Sequence, residues 1–199
     1  KHPRKHTALL FIVLGITALL LLVIDMATGD TYIPVSKVWA VLTGGECDEM
    51  TRNILLSIRF IRVIVAALIG VALSVSGLQM QTVFRNPLAG PSVLGISSGA
   101  SLGVACVVLL SGAMGGVALS KLGYMGEVAL SIAAIIGALS VMALIVYVSQ
   151  KVKGNVTLLI IGVMIGYVAS AIIGVLKYFS VEEDIRAYVI WGLGSFARV

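Results

Sequence analysis

Charge is scarce in this sequence. Only 12% of its residues are charged, against about 25% in soluble domains. With 59% hydrophobic residues and a mean hydropathy of +1.10, the chain cannot cover itself with a polar surface. That excludes a soluble globular domain and predicts a membrane protein. Histidine is confined to His2 and His6 in the N-terminal tail, so no apolar stretch carries an imidazole base or ligand. The two cysteines, Cys47 in a polar loop and Cys106 in an apolar stretch, form neither a disulfide framework nor a metal-ligand spacing. No metal site, cofactor or catalytic residue is expected. A net charge of +5 and a pI near 9.4 would suggest nucleic acid in a soluble chain. Here the basic residues cluster at segment ends, as membrane anchors do, and no nucleic-acid partner is expected. The first apolar run is too long for a signal-peptide core and lacks an A-x-A-like exit; it reads as a retained span.

What the sequence does have is long apolar segments. A bilayer core of about 30 Å takes about 20 apolar residues as helix. Residues 7–28, 61–84, 127–150 and 156–179 meet that length, and the Gly-rich segment 92–111 just does. The expected fold is all-α: a polytopic transmembrane helical bundle with about five spans, its two ends on opposite sides. Lys1, Arg4, Lys5, Arg85, Lys151 and Lys153 fall on one side. Lys37, Arg52, Arg59, Arg62, Lys121, Lys177, Arg186 and every acid fall on the other. A bare count does not decide, but the dense first cluster places the N-terminus in the cytoplasm. The external connection, residues 29–58, contains Pro34 followed by Val35, Val38, Trp39 and Leu42 at i, i+3, i+4, i+7 spacing, with Gly44-Gly45 behind. That pattern predicts a short amphipathic helix over 34–43. It fits a helix lying on the outer membrane surface and a cap packed over the bundle equally. A further helix starts at 182, with acids in its first turn as the helix dipole favours, and runs toward 199. An end there implies further spans beyond it.

Residues 85–91, Arg-Asn-Pro-Leu-Ala-Gly-Pro, are a polar hinge between two apolar segments. Irregular backbone is very costly in lipid and must lie at a surface, in protein or along a wet cavity. After the hinge, Gly95, Gly99 and Gly103 form two overlapping G-x-x-x-G units. Gly162 with Gly166 forms another, and Ala66, Gly70 and Ser74 extend the small-residue spacing. Such stripes let helix backbones approach closely; they pack helices, or let them slide during gating. Gly95-Ile96-Ser97-Ser98-Gly99 also matches the nucleophile-elbow pattern. An acyl-transfer serine needs a base, and none is near, so Ser97, Ser98 and Ser101 read as helix hydrogen-bonding residues.

Arg59 and Arg62 share a helix face at the start of the second long span. Cations at a helix N-terminus oppose its dipole. They are either snorkelling anchors or an external docking point for acidic groups. Asn86 and Leu88 lie at one mouth, and Asn155 and Val156 at the same mouth; they are ordinary turn residues or two short hinges meeting as a gate. Asp25 is the only acid well inside an apolar run, near its outer end.

Four stretches together resemble the FecCD-type permeases, membrane subunits of bacterial ABC importers for iron-siderophores, haem and cobalamin. They are Arg59-Phe60-Ile61-Arg62, residues 76–81 (Ser-Gly-Leu-Gln-Met-Gln), residues 85–91, and residues 94–100 (Leu-Gly-Ile-Ser-Ser-Gly-Ala). The external helix with Trp39 and the segment from Trp191 to Phe196 are similar too. The resemblance implies a permease of about ten spans, of which this chain would be the N-terminal half. It implies a second permease subunit, a homodimer partner, around a central path. It also implies separate ATP-binding cassette ATPase subunits on the cytoplasmic face and a periplasmic substrate-binding protein. Arg59 and Arg62 then match arginines that receive acidic residues of the binding protein. Asn86, Leu88, Asn155 and Val156 match the cytoplasmic gate. The family's Arg-Leu-Pro-Arg stands here as Arg-Phe-Ile-Arg, without its proline.

The expected function is therefore an inner-membrane permease subunit that imports a metal chelate by alternating access and does no covalent chemistry itself. A secondary transporter would need an intramembrane ion site, for which Asp25 alone is poor support. An intramembrane serine hydrolase lacks its base.

Overall fold

The computed structural model describes residues 3–29, 31–113, 124–152 and 154–195. Lys1, Lys121, Lys153 and Phe196, and the last residues of the helix expected over 182–199, lie outside the described residues. Among the described residues the regular structure is all helical: α1 (Pro3–Ala27), α2 (Val35–Leu42), α3 (Glu49–Asn53), a π-helical segment (Ile54–Arg59), α4 (Phe60–Phe84), α5 (Ile96–Ala113), α6 (Tyr124–Ser149), α7 (Asn155–Tyr178) and α8 (Glu182–Leu193). Among the described residues, four helical stretches are long and apolar enough to cross a membrane: His6–Ala27, Glu49–Phe84, Tyr124–Ser149 and Asn155–Tyr178. α5 is a shorter apolar helix. Leu9, Phe11, Leu14 and Leu20 on α1, and Ile135, Ile136 and Leu139 on α6, are exposed. Apolar faces without protein cover are what lipid-facing helices require.

The described residues form two compact units, one within residues 3–71 and one within residues 72–195. The core of the first gathers Met26, Ala27, Ile33, Val38, Leu55 and Val63. α2 turns Val38 inward while Val35, Trp39 and Leu42 stay exposed, so the amphipathic helix packs with one side only. The helix expected from 61 begins much earlier, at Glu49. Asp48 caps it, accepting from the Thr51 backbone N–H at 3.0 Å and the Thr51 hydroxyl at 2.7 Å, with Glu49 in the first turn. A cap residue satisfies a backbone donor that the helix itself cannot. This polar start is invisible to a search for apolar length. As a result Arg59 and Arg62 lie inside a continuous helix, where the dipole penalty of an N-terminus does not reach them.

The second unit holds two apolar clusters. Phe84, Ala89, Leu94, Val141, Ile145 and Leu159 pack at one end. Val104, Ala105, Val108, Leu109 and Ile173 pack at the other, with Ile185, Tyr188 and Trp191 of α8 against them. α5 lies between α6, α7 and α8 and contacts all three.

Candidate functional site

In the first unit, Arg59 ends the π-helical segment and is buried. Its Nη1 donates to the Met26 carbonyl at 2.9 Å, and its Nη2 donates to the Thr31 carbonyl. The guanidinium thus closes the C-terminal end of α1 onto the loop behind it. Carbonyls at a helix end carry partial negative charge, and a cation with several donors suits them. Gly29, at φ +155°, allows this: a Cβ there would sit 3.0 Å from Arg59 Nη2. Arg62, one turn on, is half-buried. π-helical turns recur at functional sites, and this one contains Arg59 and ends one turn before Arg62. Asp25 is exposed at the end of α1.

In the second unit the hinge is fully built. α4 stops at Phe84 because Arg85 takes a left-handed conformation, φ 48°, and the Asn86 N–H reaches back to the Gln81 carbonyl at 3.2 Å. This is the geometry of a Schellman stop, where glycine is usual; a non-glycine residue there is strained by roughly 1 kcal/mol. Asn86 Oδ1 then accepts from the Leu88 N–H at 2.9 Å. Successive turns close from Ala89 N to Asn86 O and from Val93 N to Gly90 O. Gly95, at φ +74°, turns the chain into α5. Leu88 and Val156 are exposed. Asn155, the first residue of α7, donates from Nδ2 to the Val83 carbonyl at 2.8 Å. The structure thus brings the 83–88 stretch and the start of α7 to one end of this unit.

The glycine stripe sits where backbones nearly touch. A Cβ on Gly99 would lie 2.7 Å from the Gly137 carbonyl and 2.5 Å from Val141 Cγ2. One on Gly103 would overlap the Ala133 carbonyl, and one on Gly162 would lie 2.7 Å from Leu94 Cα. Gly95 faces Gly162 and Gly166 in the same way. The stripe joins α5 to α6 on one side and to α7 on the other. Gly137 supplies half of the first contact; its signal in the sequence is the small-residue pair Ala133 and Gly137, four apart.

The FecCD transport family model matches residues 16–199. The chain belongs to the FecCD transport family. Among FecCD relatives, the hemin transport system permease protein of Yersinia pestis is 34% identical over 90% of this chain and 52% of its own length. The vitamin B12 import system permease protein of Pectobacterium atrosepticum is 30% identical over 100% of this chain and 54% of its own length. A probable iron chelatin transport system permease protein of Helicobacter pylori is 40% identical over 72% of this chain and 40% of its own length. The chain spans about half the length of these curated relatives. A solved structure described as an inward-facing conformation of a metal-chelate type ABC transporter superposes with a TM-score of 0.71 at 26% identity, covering 94% of this chain and 54% of that one. FecCD membership and the helical stretches together make this a multi-pass membrane protein.

Proposed function

We propose that this chain is the N-terminal half of a permease subunit in an ATP-driven importer. The complete permease moves a metal chelate (iron-siderophore, haem or cobalamin) across the bacterial inner membrane by alternating access. A second copy of the permease completes the path. Separate ATP-binding cassette subunits hydrolyse the ATP, and a periplasmic binding protein delivers the cargo. Family membership supports this reading, as do relatives whose names specify hemin, vitamin B12 and iron chelatin. The chain's coverage of about half of each relative supports the half-length assignment.

The observation that carries the reading is the joined hinge end. Asn86, Leu88, Asn155 and Val156 form the cytoplasmic gate, with the Asn155–Val83 hydrogen bond holding it in one of its two arrangements. ATP binding in the partner can move such a gate only by favouring the other arrangement. Arg59 and Arg62 receive acidic residues of the binding protein. The buried setting of Arg59 divides the work: Arg59 fixes the docking platform from below, and Arg62 carries most of the exposed charge recognition.

Co-purification with the ATPase subunits tests the assignment. ATP hydrolysis stimulated by the cargo-loaded binding protein is expected; hydrolysis indifferent to it would contradict the reading. Orientation is tested with a membrane-impermeant thiol reagent. With the N-terminus cytoplasmic, Cys47 reacts from the periplasm in intact cells, and reaction only after permeabilisation would invert the topology.

A further inference from the structure

Between α5, α7 and α8 the second unit encloses a cleft of about 370 Å³, lined by Ser97, Ser98, Ser101, Ser170, Lys177 and Tyr188 among others. Four serine hydroxyls and a phenol line it; Ser170 donates back to the Gly166 carbonyl at 2.9 Å, and the others suit water or a ligand better than lipid, where polar groups are costly. Lys177 is the one charged side chain lining it. Its Nζ sits 4.7 Å above the Tyr188 ring, and among the described residues that ring is its only partner. A ring face attracts an ammonium but accepts none of its hydrogens through a lone pair. All three N–H donors are therefore open to water or to an oxyanion. Ser101 and Tyr188 line the same cleft beside Lys177. Charged side chains on apolar helices face wet cavities and mark ligand routes.

We propose that this cleft is a wet, electropositive chamber in which Lys177, with the hydroxyl of Ser101 beside it, receives an anionic oxygen group of the cargo in transit. The identity of the ligand as cargo rests on the permease reading; the chamber's wetness and sign do not. A chelate bearing carboxylates would be drawn in, and a cationic one disfavoured, with no binding tight enough to hold it.

The test uses the full-length permease in lipid nanodiscs, with Ser101→Cys on a background from which Cys47, Cys106 and every other cysteine of the full-length protein are removed. Two methanethiosulfonate probes are compared, one carrying a sulfonate and one a quaternary ammonium, each normalised to its rate with a free thiol. The sulfonate probe is expected to react several-fold faster, on the order of fivefold, because a unit charge a few ångströms away acts across a wet, partly screened gap. Lys177→Gln should abolish that preference, and Lys177→Arg should keep it. If Ser101→Cys perturbs folding, Ser97→Cys provides the same readout. No reaction with either probe would mean a dry cleft and overturn the proposal. A preference unchanged by Lys177→Gln would also overturn it. Nanodiscs of phosphatidylcholine and of phosphatidylglycerol should give the same preference. Its suppression by phosphatidylglycerol would assign the site to a lipid headgroup and overturn the cargo assignment. Failure of the permease reading itself would appear in ATP-driven uptake and leave these rates untouched.

Discussion

The side-chain amide of Asn155 donates to the backbone carbonyl of Val83 at 2.8 Å, across 72 residues of sequence. The bond ties the first residue of α7 to the last turn of α4. Both groups are exposed, so water can replace either partner and the net worth of the bond is about 1 kcal/mol or less. A contact of that size suits a gate that must open: it biases one arrangement by a few-fold without locking it. Asn155→Ala should leave folded yield unchanged and raise the leak of cargo from liposomes in the absence of ATP. Unchanged leak and unchanged coupling would reduce the contact to turn structure.

Arg59 and Arg62 should separate in their effects. Replacing Arg59 strands the buried Met26 carbonyl and leaves the Thr31 carbonyl to water, and a buried unsatisfied group costs about 1–3 kcal/mol. Arg59→Glu should therefore lower thermal stability and weaken binding-protein association together. Arg62→Glu should weaken association with a smaller effect on stability, and reversing the partner's acids should restore part of it. Equal stability loss in both variants, with association intact, would make the pair membrane anchors. Reversing both charges at once would confound binding with folding, because Arg59 is buried.

The contrast between these two arginines marks what sequence makes legible. Their shared face follows from spacing, but the carbonyl clamp joins groups 33 residues apart and leaves no local pattern. The all-helical class, the hinge at 85–91 and the glycine stripe were readable because each has a local cause: apolar length, proline, and one small residue per turn. Gly137 was weaker, since its only local signal is one small-residue pair with Ala133, shorter than the run of Gly95, Gly99 and Gly103. The start at Glu49 was missed because its cap is polar and its first turn adds nothing to apolar length. The same blindness covers the π-helical segment, whose residues Ile54–Arg59 read as ordinary helix.

Gly99 allows a direct test of close packing. Its missing Cβ would already stand 2.7 Å from the Gly137 carbonyl, and overpacking costs about 1–3 kcal/mol where the backbone can shift. Gly99→Leu adds far more than a Cβ and should remove most of the folded yield, read by size-exclusion chromatography. Gly15→Leu, on α1 where nothing lies within 4 Å of the new atom, should be tolerated. Equal yields from the two variants would mean that α5 and α6 do not touch along this stripe.

The helix start at Asp48 carries a pH dependence. Its carboxylate accepts two hydrogen bonds from Thr51 and one from Lys37 at 3.2 Å. These bonds, the Thr51 hydroxyl first, hold its pKa well below the ordinary value of 3.8. A depressed folded pKa stabilises the cap fully above the ordinary value, and that stabilisation is lost as pH falls through the lower folded one. The Thr51 amide should therefore stay protected from hydrogen exchange through mildly acidic conditions and lose protection only below the ordinary carboxylate range. Asp48→Ala should remove the protection at every pH. Protection lost already near pH 5 would contradict the cap.

The central claim is that nucleotide hydrolysis in partner subunits drives cargo through this permease. Its most direct test is uptake into proteoliposomes that hold the full-length permease and its ATPase subunits, with cargo-loaded binding protein outside and ATP inside. The account predicts uptake that needs both ATP and the binding protein and that ignores imposed proton or sodium gradients. Uptake driven by an ion gradient without ATP would contradict it.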